Sequence, residues 1–120
     1  MKKIIIKRIY EDAKESDGYR ILVDRIWPRG ITKKKAKLDE WNKNLAPSTE
    51  LRKWFNHQEE RFKIFEKDYL KELKEQKEEL IRLVKITNKQ QVCLIYSAKD
   101  TAHNQAVVLE KLLNEMQNNK

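Results

Sequence analysis

A chain of 120 residues fits one domain, residues 1–120, with a single real core. Charged residues make up 38% of it and apolar residues 39%, and nowhere is there the run of about 20 apolar residues that a membrane span needs. The formal net charge of +8 permits an anionic partner, whether small molecule or nucleic acid, without demanding one, since lysine-rich surfaces also serve solubility.

The chain opens on Lys3 to Ile9, whose run Ile4-Ile5-Ile6 predicts a strand covered on both faces. No apolar stretch near Met1 reaches the roughly 7–15 residues of a signal peptide. The expected location is therefore the cytoplasm. Glu11 to Gly18 reads as a polar loop closed by the turn signal Asp17-Gly18. Tyr19 to Val23 is a second apolar strand. Trp27-Pro28-Arg29-Gly30 must be irregular, because proline keeps Trp27 out of a helix and glycine permits a turn.

Thr32 can cap one helical turn to Lys37, whereas Leu38 to Ala46 fits either helix or extended chain. Ser48, after Pro47, predicts a capped helix through Phe55. Glu59 to about Lys85 is helical. Phe62, Phe65, Tyr69 and Leu73 recur on one face, Leu80, Leu83 and Val84 continue it, and a break falls near Glu75 to Lys77. Gln91 to Tyr96 is a third buried strand, and Ala102 to Gln117 a last helix with Ala106, Leu109, Leu113 and Met116 inward. The tail to Lys120 is expected to fray. Ile5, Leu22, Phe65 and Leu94 are the residues expected deepest in the core.

These elements predict an α/β fold: a short, mainly parallel sheet of three or more strands with helices packed around it. Cys93, the lone cysteine, cannot form an internal disulfide and reads as a buried thiol. No metal-ligand spacing is present, with His57 and His103 the only histidines, and two glycines cannot build a phosphate loop. No cofactor is indicated.

Two segments leave apolar strands and carry polar groups: Asp24 to Gly30, and Tyr96 to Asn104. If their strands run parallel, both open on one edge of the sheet, where ligands of α/β folds gather. Arg25, Arg29 and Lys99 would then converge at the N-terminus of the last helix, an end that suits an anion. The same residues also admit a structural reading. Trp27-Pro28 makes a packing corner, the arginines pair with acids, and Asp100 or Thr101 is a simple N-cap. Six cations from Arg25 to Lys37 precede the first acid, Asp39. Such a run can track phosphates, with Trp41 and Trp54 to stack bases, or be a solvated face with both tryptophans in the core.

The stretch Tyr19 to Gly30, YRILVDRIWPRG, resembles the signature of the YeaO-like proteins, a bacterial and archaeal family labelled a domain of unknown function. The resemblance continues through Leu38-Asp39-Glu40-Trp41, Leu45 to Phe55 and His57. It resumes at Phe65, Tyr69, Glu72 and Leu73, then at Leu94, Tyr96, Ala98, Lys99, Asp100, Asn104, Ala106, Val108 and Leu109, so it spans nearly the whole chain. The polar positions shared with the family are Asp24, Arg25, Arg29, Trp41, Ser48, Arg52, His57, Lys99, Asp100 and Asn104. Where the family usually continues after the histidine with an acid and a proline, this chain has Gln58-Glu59. Arg61 is followed by Phe62 rather than the tryptophan common there. The family implies no agreed activity. Some members are labelled transcriptional regulators, but this chain shows no helix-turn-helix.

Together these readings predict a protein that binds an anionic ligand through Arg25, Trp27, Arg29, Arg52, Lys99 and Asn104. The alternatives are an enzyme that uses Asp24, His57, Tyr96 or Asp100 as acid or base, and a structural protein whose polar signature only holds loops together.

Overall fold

Residues 2–119 are described by a computed structural model. Four strands, β1 (Ile4–Arg8), β2 (Tyr19–Leu22), β3 (Glu40–Trp41) and β4 (Val92–Tyr96), form one wholly parallel sheet in the order β1-β4-β2-β3. The uninterrupted apolar run of β4 explains its place. It lies between two strands, pairs Val92 with both Ile4 and Tyr19, and is buried along its whole length. The segment left open between helix and extended chain becomes β3 and a turn of 3-10 helix at Lys43–Leu45, which the Asn42 side chain caps.

The helices are α1 (Lys33–Ala36), α2 (Thr49–Phe55), α3 (Phe62–Lys74), α4 (Lys77–Ile86) and α5 (Gln105–Asn118). Thr32 and Ser48 cap α1 and α2 through side-chain oxygens that accept from Lys35 N and Leu51 N. Ser48 also binds Glu72, its amide donating at 2.8 Å and its hydroxyl at 2.6 Å, which pins α2 to α3. The break between α3 and α4 falls at Glu75 and Gln76. A 3-10 turn at Glu59–Arg61 leads into α3, so the helix proper begins later than its apolar pattern suggested. The last helix also starts three residues late and ends at Asn118; Lys120 lies outside the described residues.

The two faces of the sheet are covered unequally. Helices α2 to α5 pack on one, around Ile21, Leu94, Phe65, Tyr69 and Leu109. Leu22, Cys93 and Ile95 lie on the other, under α1 and the loop residues Trp27, Ile31 and Leu38. Leu22, Leu94 and Phe65 are buried as expected, but Ile5 is only half-buried, because β1 is an edge strand; Ile4 takes the deeper place. Burial pushes the Cys93 thiol up to about 12, an inert group. At Gly18 (φ 81°) a Cβ would collide with the Gln91 carbonyl oxygen, so only glycine lets β2 start beside β4. No helix among the described residues is long and apolar enough to cross a membrane.

Candidate functional site

Because β2 and β4 are parallel, the chain leaves both at the same edge of the sheet. A cavity of about 580 Å³ opens there, walled by the segment after β2, by α2 and its C-terminal turn, and by the loop from β4 into α5.

Asp24 is the first residue on this wall and the only carboxylate among the described lining residues. It is buried. Its oxygens accept from the Ser97 hydroxyl and from Gln105 Nε2, each at 2.5 Å. Burial pushes its carboxyl above the usual range, and the hydrogen bonds from Ser97 and Gln105 and the nearby His57 only partly oppose this. The next residue points the other way. Arg25 Nε donates to the Pro47 carbonyl at 2.8 Å and Nη2 to that of Ala46 at 3.4 Å, so its guanidinium lies against the entry to α2.

Two tryptophans fix this segment. Trp41 Nε1 donates to the Asp24 carbonyl and Trp27 Nε1 to that of Ile31, each at 2.7 Å, and the rings meet edge to face at 5.3 Å. Neither is a free stacking platform. Trp27 forms part of the cavity wall, and Trp54 lies on the outer side of α2, 40% exposed, under the Arg61 guanidinium. Gly30 (φ 78°) turns the chain, and the Tyr10 hydroxyl donates to the Arg29 carbonyl, leaving the Arg29 side chain exposed at the cavity.

Arg52 projects from α2 into the lining. Its Nε is buried and makes no hydrogen bond within the chain. Among the described residues none of Arg25, Arg29 and Arg52 forms an ion pair. Beyond α2, Asn56 (φ 46°) and His57 (φ 55°) take left-handed backbone in succession, and both line the cavity. Two such non-glycine residues in a row store strain, which concentrates at functional sites.

The β4–α5 loop is held from below by Arg8, which donates to the Ala98 and Ser97 carbonyls at 2.8 and 3.1 Å. Asp100 closes it as a turn, one oxygen accepting from the Ala102 and His103 amides and the other 2.9 Å from His103 Nδ1; these contacts hold the carboxyl below its usual range. Asp100 is therefore not the cap of α5. Asn104 is: its Oδ1 accepts from Val107 N while its Nδ2 donates to the Asp100 carbonyl. With Asn104 capping it and Asp24 bound to Gln105, the N-terminus of α5 is served by the chain's own groups.

Of the residues singled out from sequence, Asp24, Arg25, Trp27, Arg29, Arg52, His57 and Asn104 share this cavity. Lys99 does not. It is exposed and outside the lining, because the Asp100 turn follows it immediately. Tyr96 is buried within β4, its phenol pushed up by burial, and neither it nor Asp100 belongs to the wall. Lys33, Lys34, Lys35 and Lys37 are solvated on α1 and the residue after it, away from the wall. Gln105 and Tyr10 are additional polar lining residues. Placing the start of α5 at Ala102 hid Gln105 inside a first turn that the chain does not form.

A family model described as the inactive DUF488-N3 subclade matches residues 3–120. The chain is 50% identical to the uncharacterized protein YeaO of Escherichia coli K12 over 110 residues, 92% of this chain and 96% of that one. It is 42% identical to the uncharacterized proteins Mb3100c of Mycobacterium bovis and Rv3073c of Mycobacterium tuberculosis H37Rv over 112 residues, 93% of this chain and 94% of each of theirs. No solved structure gives a significant match.

Proposed function

The chain belongs to the YeaO-like family, in the subclade described as inactive, and from that premise we propose that it is a cytoplasmic binding protein for an anionic small molecule such as a phosphate compound or nucleotide. The observation that carries this is the arginine trio. Arg25, Arg29 and Arg52 line one cavity, and the one carboxylate in its lining among the described residues is already bonded to Ser97 and Gln105. Cations that line one cavity without ion pairs raise its positive potential, which favours an anion there. A purely structural cluster would have its guanidinium donors taken up by the chain, yet Arg52 Nε has no partner. The cavity also falls within the size range of small-molecule sites, about 300–1,000 Å³.

One observation favours the enzyme reading: a buried carboxyl with a raised pKa stands in a cleft, as general acids do. The subclade's description as inactive weighs against it.

Thermal unfolding with inorganic phosphate and with nucleotides tests the proposal. A ligand at 100 times its dissociation constant stabilises the fold by about 2.7 kcal/mol. Arg52→Ala should remove that stabilisation. Stabilisation by phosphate that survives Arg52→Ala unchanged would place the anion elsewhere.

A further inference from the structure

The charged groups of the cavity are held by different elements. Arg25 is bonded to the Pro47 and Ala46 carbonyls just before α2, and Arg52 and Lys53 lie on α2 itself, so these three cations belong to the α2 side, while Arg29 lies on the segment after β2. Asp24 is bonded to Ser97 and Gln105, so the carboxylate sits on the side where β4 runs into α5. Pro28, Phe55 and Phe65 give the same lining an apolar part. A bare anion would use the first side and leave the second idle. Asp24 accepts from the Ser97 hydroxyl, the Ser97 amide and Gln105 Nε2, which leaves its carboxylate one of about four lone-pair sites for another donor.

Building on the anion-binding reading, we infer that the ligand is a phosphate monoester whose organic part carries hydroxyl or amino donors: the phosphate binds at Arg25 and Arg52 and Asp24, beside the β4–α5 loop, accepts from the donor. Nucleoside monophosphates and sugar phosphates share that chemistry. Asp24 is then a specificity residue that tells the ester from inorganic phosphate, because a buried acceptor rejects a ligand that leaves it unpaired.

Titration calorimetry on the full chain with inorganic phosphate, adenosine 5′-monophosphate, glucose 6-phosphate and adenosine tests this. One ester should bind at least about tenfold tighter than inorganic phosphate, the gain expected of one well-placed hydrogen bond to a charged group. The ester that does so identifies the source. Asp24→Asn should erase that preference and leave inorganic phosphate unchanged, whereas Arg52→Ala should weaken both. Esters no tighter than phosphate on the wild-type chain would overturn the inference, and that comparison needs no variant to fold. Equal loss of ester and phosphate in Asp24→Asn would overturn it too. If adenosine binds through Asp24 while phosphate does not bind, the anion reading fails and the donor-accepting role of Asp24 stands. If none of the four binds, both fall.

Discussion

Arg20 and Arg52 lie in two polar regions of one small fold, and their hydrogen bonds differ in kind. Arg20 is 4% exposed. It donates to Asp17 at 2.7 Å and to the carbonyls of Ala36 and Lys37, and Lys7 closes the cluster on Asp17 at 3.0 Å. Every group there is answered by the chain. Around Arg52 less is answered: its buried Nε has no partner, Arg29 is exposed and outside any ion pair among the described residues, and a strained turn lies beside them, although Arg25 donates to the Pro47 and Ala46 carbonyls. Charge alone does not separate a structural arginine from a binding one. What separates them is whether the protein has already used the donors.

The largest expected effect would test this contrast directly. Arg20→Ala strips the donors from two carbonyls and leaves Asp17 with Lys7 and the Lys14 amide, so it should cost about 3–5 kcal/mol in urea unfolding. Arg52→Ala should change the stability of the unliganded chain by no more than about 0.5 kcal/mol, because its half-buried side chain makes no ion pair among the described residues and its buried Nε has no partner to lose. Equal losses would mean that Arg52 is structural as well. Leu94→Ala, in the central strand and fully buried, sets the scale for pure packing at about 2–5 kcal/mol. A loss near zero would mean that β4 is not the centre of the core.

The two aspartates extend the comparison to pH. At Asp17 burial favours the proton, but the Lys14 amide, Lys7 and Arg20 outweigh it and hold the carboxyl below its usual value. Its contribution is therefore present above the unfolded value and is lost as pH falls through the lower native one. Asp24 is raised, so the native state takes up a proton first, and stability rises as pH falls from that raised value toward the ordinary one. Unfolding midpoints measured from about pH 7 to pH 3 should show Asp17→Asn flattening the acid loss and Asp24→Asn removing the gain that precedes it. The same slope in both variants would show that the two sites do not differ as described.

Much of the fold was legible because it rests on local signals. The apolar runs gave β1, β2 and β4, and Thr32 and Ser48 marked helix starts with their side chains. The strand order was not legible, since Ile4-Ile5-Ile6 looks like a central strand and forms an edge. The short β3 is set by pairing to β2 rather than by its own pattern. Within the site, parallel strands were enough to bring Asp24, Arg25 and Arg29 to Asn104. Lys99 was misplaced because the Asp100 turn and the Asn104 cap shift α5 by three residues. The empty Nε of Arg52 had no sequence signature, because a missing partner is a property of the folded surroundings.

The smallest effect concerns the turn that joins α2 to the cavity wall. His57 holds φ at 55°, where a Cβ crowds the following carbonyl at a cost of roughly 1–2 kcal/mol. Glycine escapes that cost but loses more chain entropy on folding, which takes back about 0.5–1 kcal/mol. His57→Gly should therefore stabilise the unliganded chain by about 0.5–1 kcal/mol in urea unfolding. His57 lines the same cavity as Asp24, and its charge favours the ionised carboxyl. Without the ring, the pH at which Asp24 gives up its proton should rise, and the steep part of the stability profile should move up with it. A ligand that uses this wall should bind less well even as the empty fold gains stability. If His57→Gly destabilises the empty chain, the left-handed turn is held by contacts of the imidazole with Phe55, and the strain is not kept for the site.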